Sequence, residues 1–304
     1  MRVCVVGCGA IGGLYAGHLA TLDDVEVWAY DVSREHVEAI ARDGLRLTGE
    51  VELTAPVRAR TDPSSIPPCE LGIIATKATL TEEAMAACAP VFAGGAVCSV
   101  QNGIGNEELV ARRVPRVMRG VCLPAGHVVA PGVVHMDAGG PTWIGPFEPQ
   151  PASAAEIAAL GEALDRAGMP THVERDARPA QWTKLLFNAA TNPIAALTGL
   201  THGELCDLPA LRATVTALVD DGRAVACALG IELDEDPDEL ITRAAQTNHD
   251  HRPSMLQDAL AHRPTEIDAL NGGIVREGLA AGVPTPLHAT IAALVAGLQA
   301  GWKE

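Results

Sequence analysis

Residues 2–20, RVCVVGCGAIGGLYAGHLA, decide the fold. The first five read as a short apolar strand. Gly7, Gly9 and Gly12 then form G-x-G-x-x-G, and a helical pattern follows. Between a strand and a helix, these glycines permit a tight turn and let a pyrophosphate approach the backbone. The helix start offers unpaired N–H groups to the anion. Gly7, Cys8, Gly9, Ala10, Ile11 and Gly12 are therefore candidate dinucleotide contacts. The next strand, VEVWAYD, ends at Asp31, about 20 residues beyond the motif, where a carboxylate accepts from the adenosine ribose hydroxyls and repels a 2′-phosphate. That residue favours NAD(H) over NADP(H), whereas the nearby Arg34 could receive the phosphate instead.

The alternation continues outward. A helix over 33–43 is followed by the β-rich LRLTGEVELTAPVRAR (45–60), the strand LGIIATK (71–77), a helix over 81–90 and the strand AVCSVQNGIG (96–105). Lys77 and Asn102 fall at strand carboxyl ends together with Gly9 and Asp31, the edge where open α/β sheets bind ligands. Further strands lie within 117–146, AAEIAALGEALDRAG (154–168) reads as a helix, and THVERD (171–176) as a last strand. From 178 the periodicity is helical, over 178–198, 207–230, 236–248, 264–281 and 286–301. The change predicts an α/β Rossmann-type domain over 1–176 and an all-α domain over 177–304.

Composition sets limits on partners. With 304 residues, 48% of them hydrophobic, the chain can build two cores. Its net charge of −16 and lack of a Lys/Arg-rich block argue against nucleic acid or an anionic membrane surface. No apolar run reaches the roughly 18–20 residues of a bilayer span, and the N-terminus enters a strand without a signal-like segment. A cytoplasmic protein is expected. The eight cysteines show neither C-x-x-C nor zinc-type spacing, so they read as reduced core residues, with no metal site.

Lysine usage singles out one segment. Only Lys77, Lys184 and Lys303 occur, while Arg supplies most of the positive charge. Lys184 lies in QWTKLLFNAATNP (181–193), where Lys184, Asn188 and Asn192 at i, i+4 and i+8 stack on one helical face among apolar neighbours. A compact amine can release a proton, which guanidinium effectively cannot. A second polar cluster, RPSMLQDALAHRPTEIDALNGG (252–273), carries Ser254 and Glu266. TEID reads as a helix start, with Thr265 as cap and Glu266 in the first turn. The Ala- and Leu-rich segments 264–281 and 286–301 leave apolar surface for a second copy, so a homodimer is expected.

GCGAIG, ATK, QNG, WTKLLFNAATNP, PSMLQD and TEIDALNG, in this order, resemble the ketopantoate reductase (2-dehydropantoate 2-reductase) family from residue 1 to about 300. The first motif is shared by many dehydrogenases; the later ones are far more specific. The resemblance implies a Rossmann domain and a helical domain enclosing a cleft, with NAD(P)H-dependent reduction of a 2-oxo acid to a 2-hydroxy acid. The leading reaction is 2-dehydropantoate to (R)-pantoate, in pantothenate biosynthesis. It makes Lys184 the general acid and Glu266 the essential carboxylate that orients it. Asn188, Asn192 and Ser254 become substrate contacts, and Lys77 and Asn102 lie near nicotinamide and substrate. The chain departs from the family twice. Asp31 stands near a position that is basic in NADPH-preferring members, and His251 stands where a substrate-binding asparagine is common. A D-2-hydroxyacid dehydrogenase of the same scaffold, acting with NAD on another branched or aromatic 2-oxo acid, is the alternative. A non-catalytic dinucleotide sensor is a remote one, since binding alone requires neither Lys184 nor Glu266.

Overall fold

The computed structural model describes residues 1–302; Lys303 lies outside the described residues. The chain divides into two compact units, one of Met1–Gln101 with Asn106–Ala177, the other of Arg178–Glu304 with the loop Asn102–Gly105. That loop is a departure from a division at a single point in the sequence.

The first unit begins with β1 (Arg2–Val6), α1 (Ala10–Leu19), β2 (Glu26–Tyr30) and α2 (Arg34–Asp43), followed by β3 (Leu45–Gly49), β4 (Leu53–Ala55) and β5 (Arg58–Arg60). It continues with β6 (Leu71–Ile74), α3 (Thr81–Cys88), β7 (Ala96–Ser99), α4 (Asn106–Ala111), β8 (Val117–Cys122), β9 (Ala125–Ala130) and β10 (Val133–Ala138). It ends with β11 (Thr142–Pro146), α5 (Ala154–Arg166) and β12 (Thr171–Val173). An eight-stranded sheet runs β12-β11-β8-β7-β6-β1-β2-β5. Neighbouring strands from β8 through β5 pair in parallel, and β11 runs antiparallel to β8. Strands covered on both faces need continuous apolar runs, and β1 and β6 supply them. Because β2 lies on one side of β1 and β6 on the other, the strand order switches at β1. The glycine-rich turn leaves the sheet at that switch.

A separate four-stranded sheet, β4-β3-β10-β9, pairs segments far apart in sequence. Helix α1 packs against β3, β9 and β10, and its Leu14, Tyr15, Ala16 and Leu19 enter the larger apolar core. Six of the eight cysteines are buried; Cys206 is half-buried and Cys227 exposed, which corrects their reading as core residues.

The second unit is helical: α6 (Arg178–Thr198), α7 (His202–Asp207), α8 (Pro209–Ala228), α9 (Pro237–Thr247), α10 (Ser254–Leu260), α11 (Asn271–Ala281) and α12 (Pro286–Ala300). Helices α8, α9, α10 and α12 pack around α6, most of whose residues are buried. The periodicity expected over 207–230 contains the end of α7 and all of α8. Thr201 and Glu204 cap α7 reciprocally, and Pro209 starts α8.

Among residues 264–281 the difference bears on the site. Residues 266–270 form a bend and turn, and the helix begins only at Asn271. Thr265 does not cap it. Its N–H donates to Gln299 Oε1 at 2.8 Å, and its buried hydroxyl has no partner. No helix among the described residues is long and apolar enough to cross a membrane.

Candidate functional site

In the first unit the glycine-rich turn is held by its own backbone. Gly7 has φ +85° and donates its N–H to Tyr30 O at 2.8 Å. A Cβ on Gly12 would lie 1.8 Å from Gly7 O, so no other residue fits there. Gly9 differs, because a Cβ there would meet nothing of the protein within 4 Å. Its bareness opens space at the start of α1, whose first turn carries no acidic residue and no side-chain cap. This is the geometry that a pyrophosphate requires. Ala10 and Ile11, half-buried, are the first residues of that helix.

Asp31 faces the same turn. Its Oδ2 accepts from Cys8 N–H at 2.9 Å and its Oδ1 from Ser33 N–H at 2.8 Å. A carboxylate offers about four lone-pair directions, so two backbone contacts fix its plane and leave capacity for sugar hydroxyls. Arg34 points outward and pairs with Glu38 at 3.2 Å, its side chain 85% exposed. Burial and the Asp31 charge push the Cys8 thiol well up, so it stays protonated. Lys77 follows β6 and opens a short 3₁₀ turn, Ala78–Leu80. Gln101 orders the neighbouring backbone: its Nε2 donates to Thr76 O at 2.9 Å and to Thr81 Oγ1 at 2.7 Å.

In the second unit, Asn102 Nδ2 donates to Glu266 Oε2 at 3.2 Å. Glu266 is only 6% exposed. The loop approaches closely because Gly103 has no side chain, since a Cβ would lie 2.4 Å from Ala269 O. Ile104 N–H donates to that same carbonyl at 3.0 Å. The glycine of QNG thus serves packing against the TEIDAL segment. Asn102 lies in the loop that follows the carboxyl end of β7, and that loop groups with the helical unit, where Asn102 meets Glu266.

Helix α6 runs unbroken through Lys184, Asn188 and Asn192, which share one face. Lys184 and Asn188 are half-buried and Asn192 buried. Ser254 is the first residue of α10, which packs against α6, and both it and His251 are exposed. His251 O accepts from His202 N–H at 2.9 Å, so its backbone is tied to the start of α7. Among the described residues no group of three His, Cys, Asp or Glu could hold a metal ion.

Residues 3–149 match the family described as ketopantoate reductase PanE/ApbA, and residues 176–299 match its C-terminal part. The chain belongs to the ketopantoate reductase family. Within it, a 2-dehydropantoate 2-reductase from Pyrococcus abyssi is 32% identical over 301 residues, covering 99% of this chain and 98% of that protein. Among solved structures, a PanE/ApbA family ketopantoate reductase from Ralstonia eutropha JMP134 covers 100% of both chains with TM-score 0.91 and 32% identity. A D-mandelate dehydrogenase in ternary structure with NADH and anilino(oxo)acetate covers 99% of both, with TM-score 0.88 and 26% identity. Members of the family bind NAD(P)H.

Sequence reasoning passed over three side chains that organise these residues: Gln101, His36 and Asn271. Gln101 sits inside the quoted QNG motif. A lone His near the start of a polar helix gives no such signal, and the role of Asn271 appears only once its partner on α6 is seen.

Proposed function

We propose that this ketopantoate reductase family member reduces 2-dehydropantoate to (R)-pantoate, with NAD(H) preferred. The observation that carries the reading is the buried Glu266 carboxylate held by Asn102, in the unit whose central helix bears Lys184, Asn188 and Asn192. A buried carboxylate is costly unless it has a partner or a task. A dinucleotide whose pyrophosphate lies on the glycine-rich turn would supply the hydride from its reduced nicotinamide. Negative charge then builds on the substrate ketone oxygen, and the Lys184 ammonium donates the proton that neutralises it. Glu266 orients Lys184 and contacts the nascent hydroxyl, its plane fixed through Oε2 by Asn102. Asn188, Asn192, Ser254 and His251 hold the 2-oxo acid as hydrogen-bond partners. Gly7, Cys8, Gly9, Ala10, Ile11 and Gly12 hold the pyrophosphate, Asp31 the ribose and Lys77 the nicotinamide end; Asn102, in the helical unit, is a further candidate contact for cofactor and substrate.

His251, in place of the family's common asparagine, supports a second reading: an NAD-dependent D-2-hydroxyacid dehydrogenase acting on another branched or aromatic 2-oxo acid. A substrate panel with NADH and NADPH in parallel separates the two. Highest kcat/KM on 2-dehydropantoate supports the first, and highest kcat/KM on an aromatic 2-oxo acid the second. No turnover of any 2-oxo acid, together with tight NAD(P)H binding, would overturn both. In the same assay NADH is expected to give the higher kcat/KM, and Asp31→Ser to narrow or reverse the preference. A strong preference of the unmodified enzyme for NADPH would sink that cofactor assignment and point to Arg34.

The homodimer proposal rests on α11 and α12, which expose Leu279 (84%) and Leu294 (52%). Two-fold dimers are the commonest way to cover such surface. Light scattering should give twice the chain mass at micromolar concentration, and a monomer mass would end the proposal.

A further inference from the structure

The backbone of Cys8, inside the glycine-rich turn, is held on both sides of its Cα. Its N–H donates to Asp31 Oδ2 at 2.9 Å, and its carbonyl lies 2.8 Å from His36 Nε2. His36 is in the first turn of α2 and is 5% exposed. Its other ring nitrogen, Nδ1, lies 3.1 Å from the N–H of Gly132 in the turn between β9 and β10. A backbone N–H can only donate, so Nδ1 accepts. The ring is therefore assigned as the Nε2–H tautomer, which donates to Cys8 O. One side chain thus bridges the turn before α1 to the hairpin of the second sheet. The bridge sets the tilt of the Cys8–Gly9 peptide, immediately before the bare Gly9 and the open start of α1.

From this geometry we infer that His36 is a positioning residue for dinucleotide binding: it fixes the carbonyl of Cys8 so that the Gly9 and α1 amides face the pyrophosphate. The inference rests on the assignment of the glycine-rich turn to NAD(H). It predicts an effect on cofactor affinity, because His36 holds the protein backbone and touches no reacting atom. A merely structural histidine would alter stability without separating KM from kcat. Without the bridge, the Cys8–Gly9 peptide can rotate, and part of the binding energy is spent on ordering it.

Fluorescence titration with NADH and steady-state kinetics on the full-length protein test this. His36→Leu should weaken NADH binding and raise its KM about tenfold, the scale of one lost ordering hydrogen bond. At saturating NADH, kcat should stay within about threefold, because the proton donor is untouched. His36→Gln keeps an N–H donor near the Nε2 position and should restore most of the affinity. Unchanged NADH affinity in folded His36→Leu, or a lowered kcat with unchanged KM, overturns the inference.

If His36→Leu does not fold, the unmodified protein carries the test. With ¹⁵N-labelled histidine, His36 should show the Nε2–H tautomer, and its Nε2 signal should move on NADH saturation. A signal that does not move overturns the inference. If the unmodified protein binds neither NADH nor NADPH, the assignment of the turn falls, and this inference with it.

Discussion

Replacing Lys184 by alanine should lower kcat on the best 2-oxo acid by about 10²–10⁴, the range for losing a general acid. The reasoning starts from charge. Hydride addition leaves an alkoxide, and the proton must arrive as that charge forms, because a late proton gives no help to the transition state. Lys184 lies on the face of α6 that also carries Asn188 and Asn192, all three half-buried or buried. NADH affinity should barely change, since the proposed dinucleotide contacts lie almost wholly in the other unit. Lys184→Arg should rescue little, because guanidinium holds its proton too firmly and has a different shape. Glu266→Gln should also impair turnover, and the double variant should lose less than the sum of the two if the pair acts as a unit. Near-normal kcat in Lys184→Ala would refute the mechanism and leave the stripe a structural feature of α6.

What could be read from the sequence alone follows the range of the forces involved. The β1 strand, the glycine turn and α1 are fixed by neighbours within a few residues, so the pattern was legible. Helix α6 was legible for the same reason, through its apolar periodicity. Thr followed by an acid is a valid local start signal, and Glu266 does open a turn that Leu270 N–H closes on its carbonyl at 3.0 Å, but the regular helix begins only at Asn271 and Thr265 Oγ1 caps nothing. The place of Asn102 after β7 is legible because the strand precedes it, but its contact with Glu266 depends on the close approach of Gly103 to Ala269, which no local pattern encodes. In sequence the second sheet shows only as scattered strands, since its neighbours β3 and β10 are separated along the chain by strands of the larger sheet. His36 escaped notice because its partners, Cys8 and Gly132, are likewise remote in sequence.

The TNP of α6 and the LNG at the start of α11 are linked by one buried amide, and the link predicts a second large effect. Pro193 lies inside α6 and has no N–H, so the carbonyl of Ala189, four residues earlier, loses its helical donor. Asn271 replaces that donor: its Nδ2 donates to Ala189 O at 2.9 Å and to His288 Nδ1 at 3.0 Å. His288 is fully buried, and burial lowers its basicity, so the neutral ring can accept at Nδ1 while Nε2 donates to Leu218 O at 2.9 Å. Asn271 therefore ties the helix carrying Lys184 to the segment that begins at Glu266. Asn271→Ala leaves a buried carbonyl and a ring nitrogen unpaired and should cost about 3 kcal/mol, each unpaired group costing roughly 1–3 kcal/mol. Pro193→Ala returns a backbone N–H within reach of Ala189 O. In that background Asn271→Ala should cost about 1 kcal/mol less, the size of coupling expected for groups that share one partner. Denaturant unfolding of the four proteins measures the cycle. Strictly additive costs would mean that Asn271 does not stand in for the donor that Pro193 removes.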